Sequence, residues 1–398
     1  MTSDASGRRL SIAMFSDSAL PILNGVSVSV DQLSKGLRAL GHSVSLFTSG
    51  YPGHKEQDPN TCRFFSVQTP WAPGYPLSIP PFYGLLGEFR RRHFDIVHCH
   101  TPFTVGMVGL RWAQSEEVTA VATYHTQYDK YAHYVPYLPH RYTKFKIAKH
   151  TNYFYNRVAH VVTPSEAASH WLHRHAVRTP TTVVPTGIRL PAPDLRPAAR
   201  AKFDLGPSDT VVLYAGRIAR EKNLKVLFEA MAPLLATTPR LHLWVVGDGP
   251  AREELRTFVR QSGIGDRVRF FGFIPREEID TYYAAADVFA FTSMTETQGL
   301  VVVEAMSHSL PVVVVTGGGA GAAVRDGTNG FLVPNRADEF GEAVRRIVDD
   351  RHLAATLSVG ARETAAEYTV EKMVSKVVRV YHQALGNELP ASLPVVAE

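Results

Sequence analysis

The chain has 398 residues, 45% of them hydrophobic and 20% charged, which is enough apolar material for two cores and excludes extended disorder. The net charge of +5 is unevenly held: residues 1–190 carry 19 Lys and Arg against 11 Asp and Glu, a balance of +8, leaving −3 for the remainder. A basic half without a helix-turn-helix, finger or stacking-sheet signature points to an anionic membrane surface as partner rather than to nucleic acid.

No run approaches the ~20 apolar residues that span a bilayer. Arg8-Arg9 precede an apolar stretch, but Asp17 interrupts it at the shortest length that a secretory h-region takes. Cys62 and Cys99 lie far apart, outside any zinc or redox spacing. Together these features read as a cytoplasmic protein with reduced thiols.

In chain order, short β-rich runs are expected at 10–15, 44–48, 95–99, 118–123, 160–163 and 182–184, with amphipathic segments between them. Near-continuous apolar strands separated by helices specify a parallel sheet covered on both faces. Residues 189–200, with three prolines, break the rhythm. It restarts with runs at 211–215, 241–246, 268–271, 288–292, 311–315 and 330–333. The fold class is therefore α/β, with two Rossmann-like domains facing across a cleft, because ligands bind at the carboxyl ends of such strands. The boundaries expected are 1–188 for an N-terminal domain, 189–205 for a linker and 206–367 for a C-terminal domain. Residues 368–386 form a final helix and 387–398 a flexible tail.

Three polar clusters fall at strand ends. In the first, Met294–Met306, a strand gives way to a glycine turn and an apolar helix with Glu296 and Glu304 eight residues apart. Glu304 sits among valines, where an unpaired carboxylate is costly, so it needs hydroxyl or amide partners; ribose hydroxyls qualify. Glu296 would reach sugar hydroxyls, and the amides of Gln298, Gly299 and Leu300 form a helix start suited to an anion. In the second cluster, Arg217 and Lys222 follow the strand at 211–215. Cations at a helix start oppose its dipole and call for a compensating anion such as a diphosphate.

The third cluster, Thr123–Tyr137, carries His125 and a stripe of Tyr124, Tyr128, Tyr131, Tyr134 and Tyr137 at helical intervals. Arg141, Lys144, Lys146, Lys149 and Arg157 follow without an acidic residue among them. Aromatic followed by basic residues suits an anionic lipid surface. A solvated face is the plainer reading.

Gly247-Asp-Gly249 and Gly317–Gly321 match no dinucleotide fingerprint and are expected as tight strand-to-helix turns. Gly25, after Asn24, would let backbone approach a phosphate. His98-Cys99-His100 offers two imidazoles on one strand face, too few for a metal site, and no Asp-x-Asp occurs. No metal and no cofactor are expected.

Taken together, Ser16–Ser18, Pro21–Val26, Gly216-Arg217, Lys222-Asn223, Gly247–Pro250, the glutamate pair and Asp326–Gly330 resemble glycosyltransferase family 4, retaining nucleotide-sugar enzymes of the GT-B fold. The stretches His100–Phe103 and Tyr124–Tyr128 are most similar to the diacylglycerol glucosyltransferase and α-mannosyltransferase branch.

The resemblance implies that Arg217 and Lys222 hold the diphosphate, Glu304 the ribose, and Glu296 with the Gln298–Leu300 backbone the donor sugar. Gly25 would face the phosphate, and His125 would lie near the transferred sugar. Asp17 and Tyr128 would meet the acceptor, and the final helix would return to the N-terminal domain.

The activity implied is a metal-independent, retaining transfer of hexose from UDP-glucose, UDP-galactose or GDP-mannose to a lipid such as diacylglycerol, at the inner face of the membrane. Polysaccharide or polyprenol-linked acceptors and, in a different class, a nucleotide-sugar epimerase are the alternatives. The proline-glutamate pair that the family often places near Gly317–Ala323 is replaced by Gly and Ala. Gln298 stands where an aromatic is commoner.

Overall fold

The computed structural model describes residues 8–68, 76–79, 83–127 and 139–387. They fall into two compact units, one formed by the chain up to Gly187 together with the segment from Val370, the other by Ile188–Thr369.

In the first unit, β1 (Ser11–Ser16), β2 (Ser43–Ser49), β3 (Thr61–Phe64), β6 (Ile96–Cys99), β7 (Thr119–Thr123), β8 (His160–Thr163) and β9 (Thr181–Val183) form a parallel sheet in the order β3-β2-β1-β6-β7-β8-β9. A short ribbon, β4 (Ser66–Val67) with β5 (Leu77–Ser78), stands apart from it. The alternation along β1 divides the core. Ile12 and Met14 join Leu33 and Leu37 of α1 (Gly25–Ala39) and Met373, Val374 and Val377 of α13 (Val370–Ala384) on one face. Ala13 and Phe15 point the other way. There they meet Phe89 of α2 (Tyr83–Arg92), Trp112 of α3 (Thr104–Ser115), Phe154 of α4 (His140–Tyr155) and Trp171 of α5 (Glu166–Arg174). Phe15 stacks on Phe47 at 4.7 Å and meets Phe89 and Trp112 edge-on.

Helix α1 starts from a reciprocal cap: Asn24 accepts from the Val26 and Ser27 amides, and the Ser27 hydroxyl accepts from the Asn24 amide at 3.0 Å. Its Gly36 lets α13 approach closely, since a Cβ there would collide with Val374. Gly109 on α3 is likewise pressed against the Phe15 ring.

The second unit is a parallel sheet of β10 (Thr210–Ala215), β11 (Leu241–Val246), β12 (Val268–Gly272), β13 (Val288–Phe291), β14 (Val312–Val315) and β15 (Gly330–Val333), in the order β12-β11-β10-β13-β14-β15. Around its core pack α7 (Leu224–Thr237), α8 (Arg252–Gln261), α9 (Ile279–Ala285), α10 (Leu300–Ser307), α11 (Ala337–Asp349) and α12 (Arg351–Ala365).

The segment expected as a linker, 189–205, is built into this unit. It contains α6 (Leu195–Lys202), with Ala199 buried and Arg196 and Arg200 both on Asp287. Pro197 is compatible with that helix because it lies in the first turn, where a missing N–H breaks no bond.

Candidate active site

Each sheet reverses its strand order at one place, and there the polar clusters gather, as the carboxyl ends of strands at a switch point dictate. In the second unit the switch lies between β10 and β13. Beyond β10 the chain turns through Gly216 (φ 150°) to Arg217, which is exposed. It then makes a 3₁₀ turn over Arg220–Lys222 before α7.

Gly247 and Gly249 hold this turn from beneath. A Cβ on either would strike the carbonyl oxygen of Gly216 or Ile218, and the Ile218 amide donates to Asp248 O at 2.9 Å. The Thr292 hydroxyl donates to Lys222 O at 3.1 Å, tying the turn to the loop after β13. That loop brings Glu296 onto the ammonium of Lys222. The two residues assigned to diphosphate and sugar are thus brought together and neutralise each other.

Gly317–Gly321, expected as a tight strand-to-helix turn, follows β14 into a 3₁₀ turn over Gly319–Ala323 and also backs the glutamate loop. The Gly319 amide donates to Glu296 O at 2.8 Å, and a Cβ on Gly319 would strike Thr297 O. Gly299 has φ 73°, and a Cβ there would lie 2.6 Å from Ala320 Cα. Glycine and alanine in place of larger residues are what this contact requires. Gln298 is buried, and Leu300 opens α10 after Gly299 as its N-cap.

Glu304 is buried on α10, as its valine neighbours predict, but protein groups satisfy it. The Arg276 guanidinium binds one carboxylate oxygen and the Tyr283 hydroxyl donates to the other at 3.3 Å. Arg276 lies in the loop between β12 and α9, and no periodicity or motif spacing singled it out. The pairing spans 28 residues and exists only through sheet topology. Burial works against the charge of Arg276, and Glu304 overcomes it, holding the guanidinium above its ordinary range.

In the first unit the switch lies between β1 and β6. Asp17, half-buried just past β1, accepts from the Thr101 hydroxyl with Oδ2 and from the Val105 amide at 3.0 Å with Oδ1. Its carboxylate is therefore spent on the start of α3 and the β6 loop. Burial raises its pKa, with Thr101 and the amides of Val105 and Gly106 opposing.

At the carboxyl ends of β6 and β7 the imidazoles of His98, His100 and His125 lie one against the next. His98 and His100 have ring centroids 4.1 Å apart, and His100 Nδ1 lies 3.0 Å from His125 Nε2. His98 is held by Tyr381 of α13 at 2.8 Å and Thr123 at 2.7 Å. Desolvation holds His98 down to about 3, His125 down to about 4, and His100 well below its ordinary value.

Among the described residues, no group of three His, Cys, Asp or Glu side chains is placed to hold a metal ion. Gly25 is exposed at the first position of α1, and a Cβ there would meet nothing within 4 Å. The structure gives it no packing reason to be glycine.

Tyr124 is fully buried, stacked on Trp171 at 5.5 Å, and so belongs to the core. Tyr128 and the rest of that stripe lie outside the described residues. On α4, Arg141, Tyr142, Lys144, Phe145, Lys146, Lys149 and Tyr153 are all exposed, and Arg157 just beyond it covers the Tyr153 ring at 3.7 Å. No helix among the described residues is long and apolar enough to cross a membrane.

Two doubly wound units with polar clusters at their switch points define a two-domain α/β enzyme. Residues 23–190 match the family described as Glycosyltransferase Family 4, and residues 196–364 match Glycosyl transferases group 1. An alpha-monoglucosyldiacylglycerol synthase of Acholeplasma laidlawii is 30% identical over 93% of this chain and 96% of its own. A D-inositol 3-phosphate glycosyltransferase of Streptomyces bingchenggensis is 30% identical over 91% and 85%. Sucrose-phosphate synthase from Thermosynechococcus elongatus superposes with a TM-score of 0.77 at 25% identity, covering 95% of this chain and all of that one. The chain belongs to the family 4 glycosyltransferases of the GT-B fold.

Proposed function

We propose that the protein transfers a hexose from UDP-glucose, UDP-galactose or GDP-mannose to a lipid acceptor such as diacylglycerol at the inner face of the membrane, with retention and without a metal. The observation that carries the acceptor class is the exposed face of α4. It presents Tyr142, Phe145 and Tyr153 among Arg141, Lys144, Lys146 and Lys149, with Arg157 just beyond and no acidic residue in the helix. Aromatic rings for the interface and cations for phosphate are what a monotopic surface needs. The likeness to a synthase of monoglucosyldiacylglycerol supports the same reading.

In this reading Lys222 and Arg217 exchange their present surroundings for the donor's diphosphate and take up the charge that grows on the leaving group, which is the work a divalent cation would otherwise do. Glu296 is released to the sugar hydroxyls, with the amides of Gln298, Gly299 and Leu300 beside it, and Glu304 faces the ribose. Gly25 admits the phosphate, and His125 lies against the transferred sugar. The acceptor hydroxyl attacks from the face that the diphosphate leaves, and the departing phosphate takes its proton.

The decisive experiment incubates the protein with each of the three donors, with and without diacylglycerol in anionic vesicles, and follows nucleoside diphosphate release and glycolipid formation. An α-linked glycolipid from one donor, made only when lipid is present, is the expected product. Donor turnover indifferent to lipid would overturn the acceptor assignment.

A further inference from the structure

We propose that Arg276 and Tyr283 are positioning residues for Glu304, holding its carboxylate so that each oxygen keeps an acceptor position for one of two neighbouring ribose hydroxyls. The site would thereby tell a ribonucleotide from a deoxyribonucleotide. The proposal rests on the reading that turns Glu304 toward the donor's ribose.

A carboxylate has about four acceptor positions, shared between its two oxygens. Arg276 donates to Glu304 Oε1, and the Tyr283 hydroxyl donates to Oε2 at 3.3 Å. Each oxygen thus has one position taken and one left. Two acceptors side by side match a vicinal diol in which both hydroxyls donate. Tyr283 is 1% exposed, so it reaches a bound nucleotide only through Glu304. Burial, and then the charge of Glu304, push its phenol above the ordinary range, so it stays a donor.

The support extends one turn along α10. His308, four residues after Glu304, has a side chain only 4% exposed, and its ring stacks on Tyr283 with centroids 5.4 Å apart. Its Nε2 lies 3.2 Å from Asp280 Oδ1. Asp280 and Tyr283, three residues apart on α9, share a face of that helix, as Glu304 and His308 do at the end of α10. Two rungs therefore join α9 to α10, and Tyr283 packs against both His308 and Phe289. A carboxylate free to turn would lose rotamer freedom on meeting the ribose; this one has already given it up in folding.

The test is calorimetric titration of the full-length protein with UDP and GDP, then with the 2′-deoxy counterpart of whichever binds. The unaltered protein should hold the ribonucleotide about ten- to a hundredfold more tightly, the worth of a hydrogen bond to a charged group. Glu304→Met should abolish that preference. Tyr283→Phe, which removes a single oxygen, should narrow it about threefold or more and leave the affinity for the deoxynucleotide unchanged. Arg276→Met should narrow it further. A preference kept in full by Tyr283→Phe and Arg276→Met but lost in Glu304→Met would overturn the positioning roles and leave the ribose contact standing. A preference kept by Glu304→Met, or absent from the unaltered protein, would remove the ribose contact itself and the proposal with it. Equal weakening of both nucleotides in Tyr283→Phe would also overturn the assignment, since a merely structural defect does not distinguish ribose from deoxyribose.

Discussion

Arg276 and Glu304 meet as an ion pair, with the Glu304 side chain 9% exposed and the Arg276 side chain 40% exposed. The pair resolves how a carboxylate survives among Val302, Val303 and Met306, all fully buried. Arg276→Ala would leave it with the Tyr283 hydroxyl alone. Breaking a fully buried pair costs about 3–5 kcal/mol, and the exposure of the arginine reduces the expectation here to about 1–3 kcal/mol. Urea denaturation reads this directly, and an unshifted midpoint would mean that the pair does not form in solution.

Two glycines should respond in opposite ways. Gly299→Ala forces a side chain into the left-handed region and onto Ala320, so the second unit should lose about 2 kcal/mol or more, seen as a lower melting temperature. Gly25→Ala meets open space. Its melting temperature should match the unaltered protein while kcat/KM falls about tenfold or more, as a methyl obstructs a phosphate that must approach backbone. Full activity in Gly25→Ala would remove that residue from the donor site.

Lys222→Ala and Arg217→Ala should each cut kcat about a hundredfold or more, because fixed cations at the leaving group act chiefly in the transition state. Lys222→Ala also strips Glu296 of its counter-ion, so its nucleotide affinity should be measured separately by calorimetry. Undiminished turnover in either variant would reassign the leaving-group contacts.

The buried histidines set the acid limit of the fold. His98 and His125 titrate at about 3 and about 4 in the folded protein and near 6.5 unfolded. The unfolded chain therefore takes up protons first. Stability is complete above about pH 6.5 and falls below it by about 1.4 kcal/mol per pH unit for each such histidine. Asp17, raised by burial, works in the opposite direction from its ordinary value of 3.8 upward, but as one group against the stack. Denaturant midpoints at pH 7 and pH 5 should differ accordingly, and His98→Asn should flatten the slope. A midpoint unchanged between these pH values would contradict the buried neutral stack.

On α4, Phe145→Ser combined with Lys144→Glu and Lys146→Glu should abolish flotation with anionic vesicles, each cation being worth about 1 kcal/mol at such a surface. Melting temperature should stay put, since all three side chains are exposed. Vesicle binding unaffected by the triple change would move the docking surface elsewhere.

Strand periodicity made both sheets legible because parallel strands buried on two faces must be apolar throughout. What escaped has physical reasons. β3 is only Thr61–Phe64 at a sheet edge, where just Cys62 and Phe64 are buried. α6 hid behind three prolines, of which Pro197 breaks nothing. The approach of Arg276 to Glu304, and of His100 to His125, depends on which strands lie side by side, and spacing along a chain carries no such information. The glycines at 317–321 announced a turn but not that Glu296 and Thr297 would rest on them.

α13 has a consequence for biosynthesis. The first unit is made of residues up to Gly187 together with those from Val370, and the 182 residues of the second unit are translated in between. Until α13 leaves the ribosome, the face formed by Ile12, Met14, Val44, Ile96 and Val121 lacks part of its cover, and Tyr381 cannot reach His98. The unit that emerges first is thus the one completed last, and until then the nascent chain carries an apolar sheet face that α1 covers only in part. Chaperone demand during that interval, and sensitivity to any truncation that removes Met373, Val377 or Tyr381, are built into the order in which the chain is made.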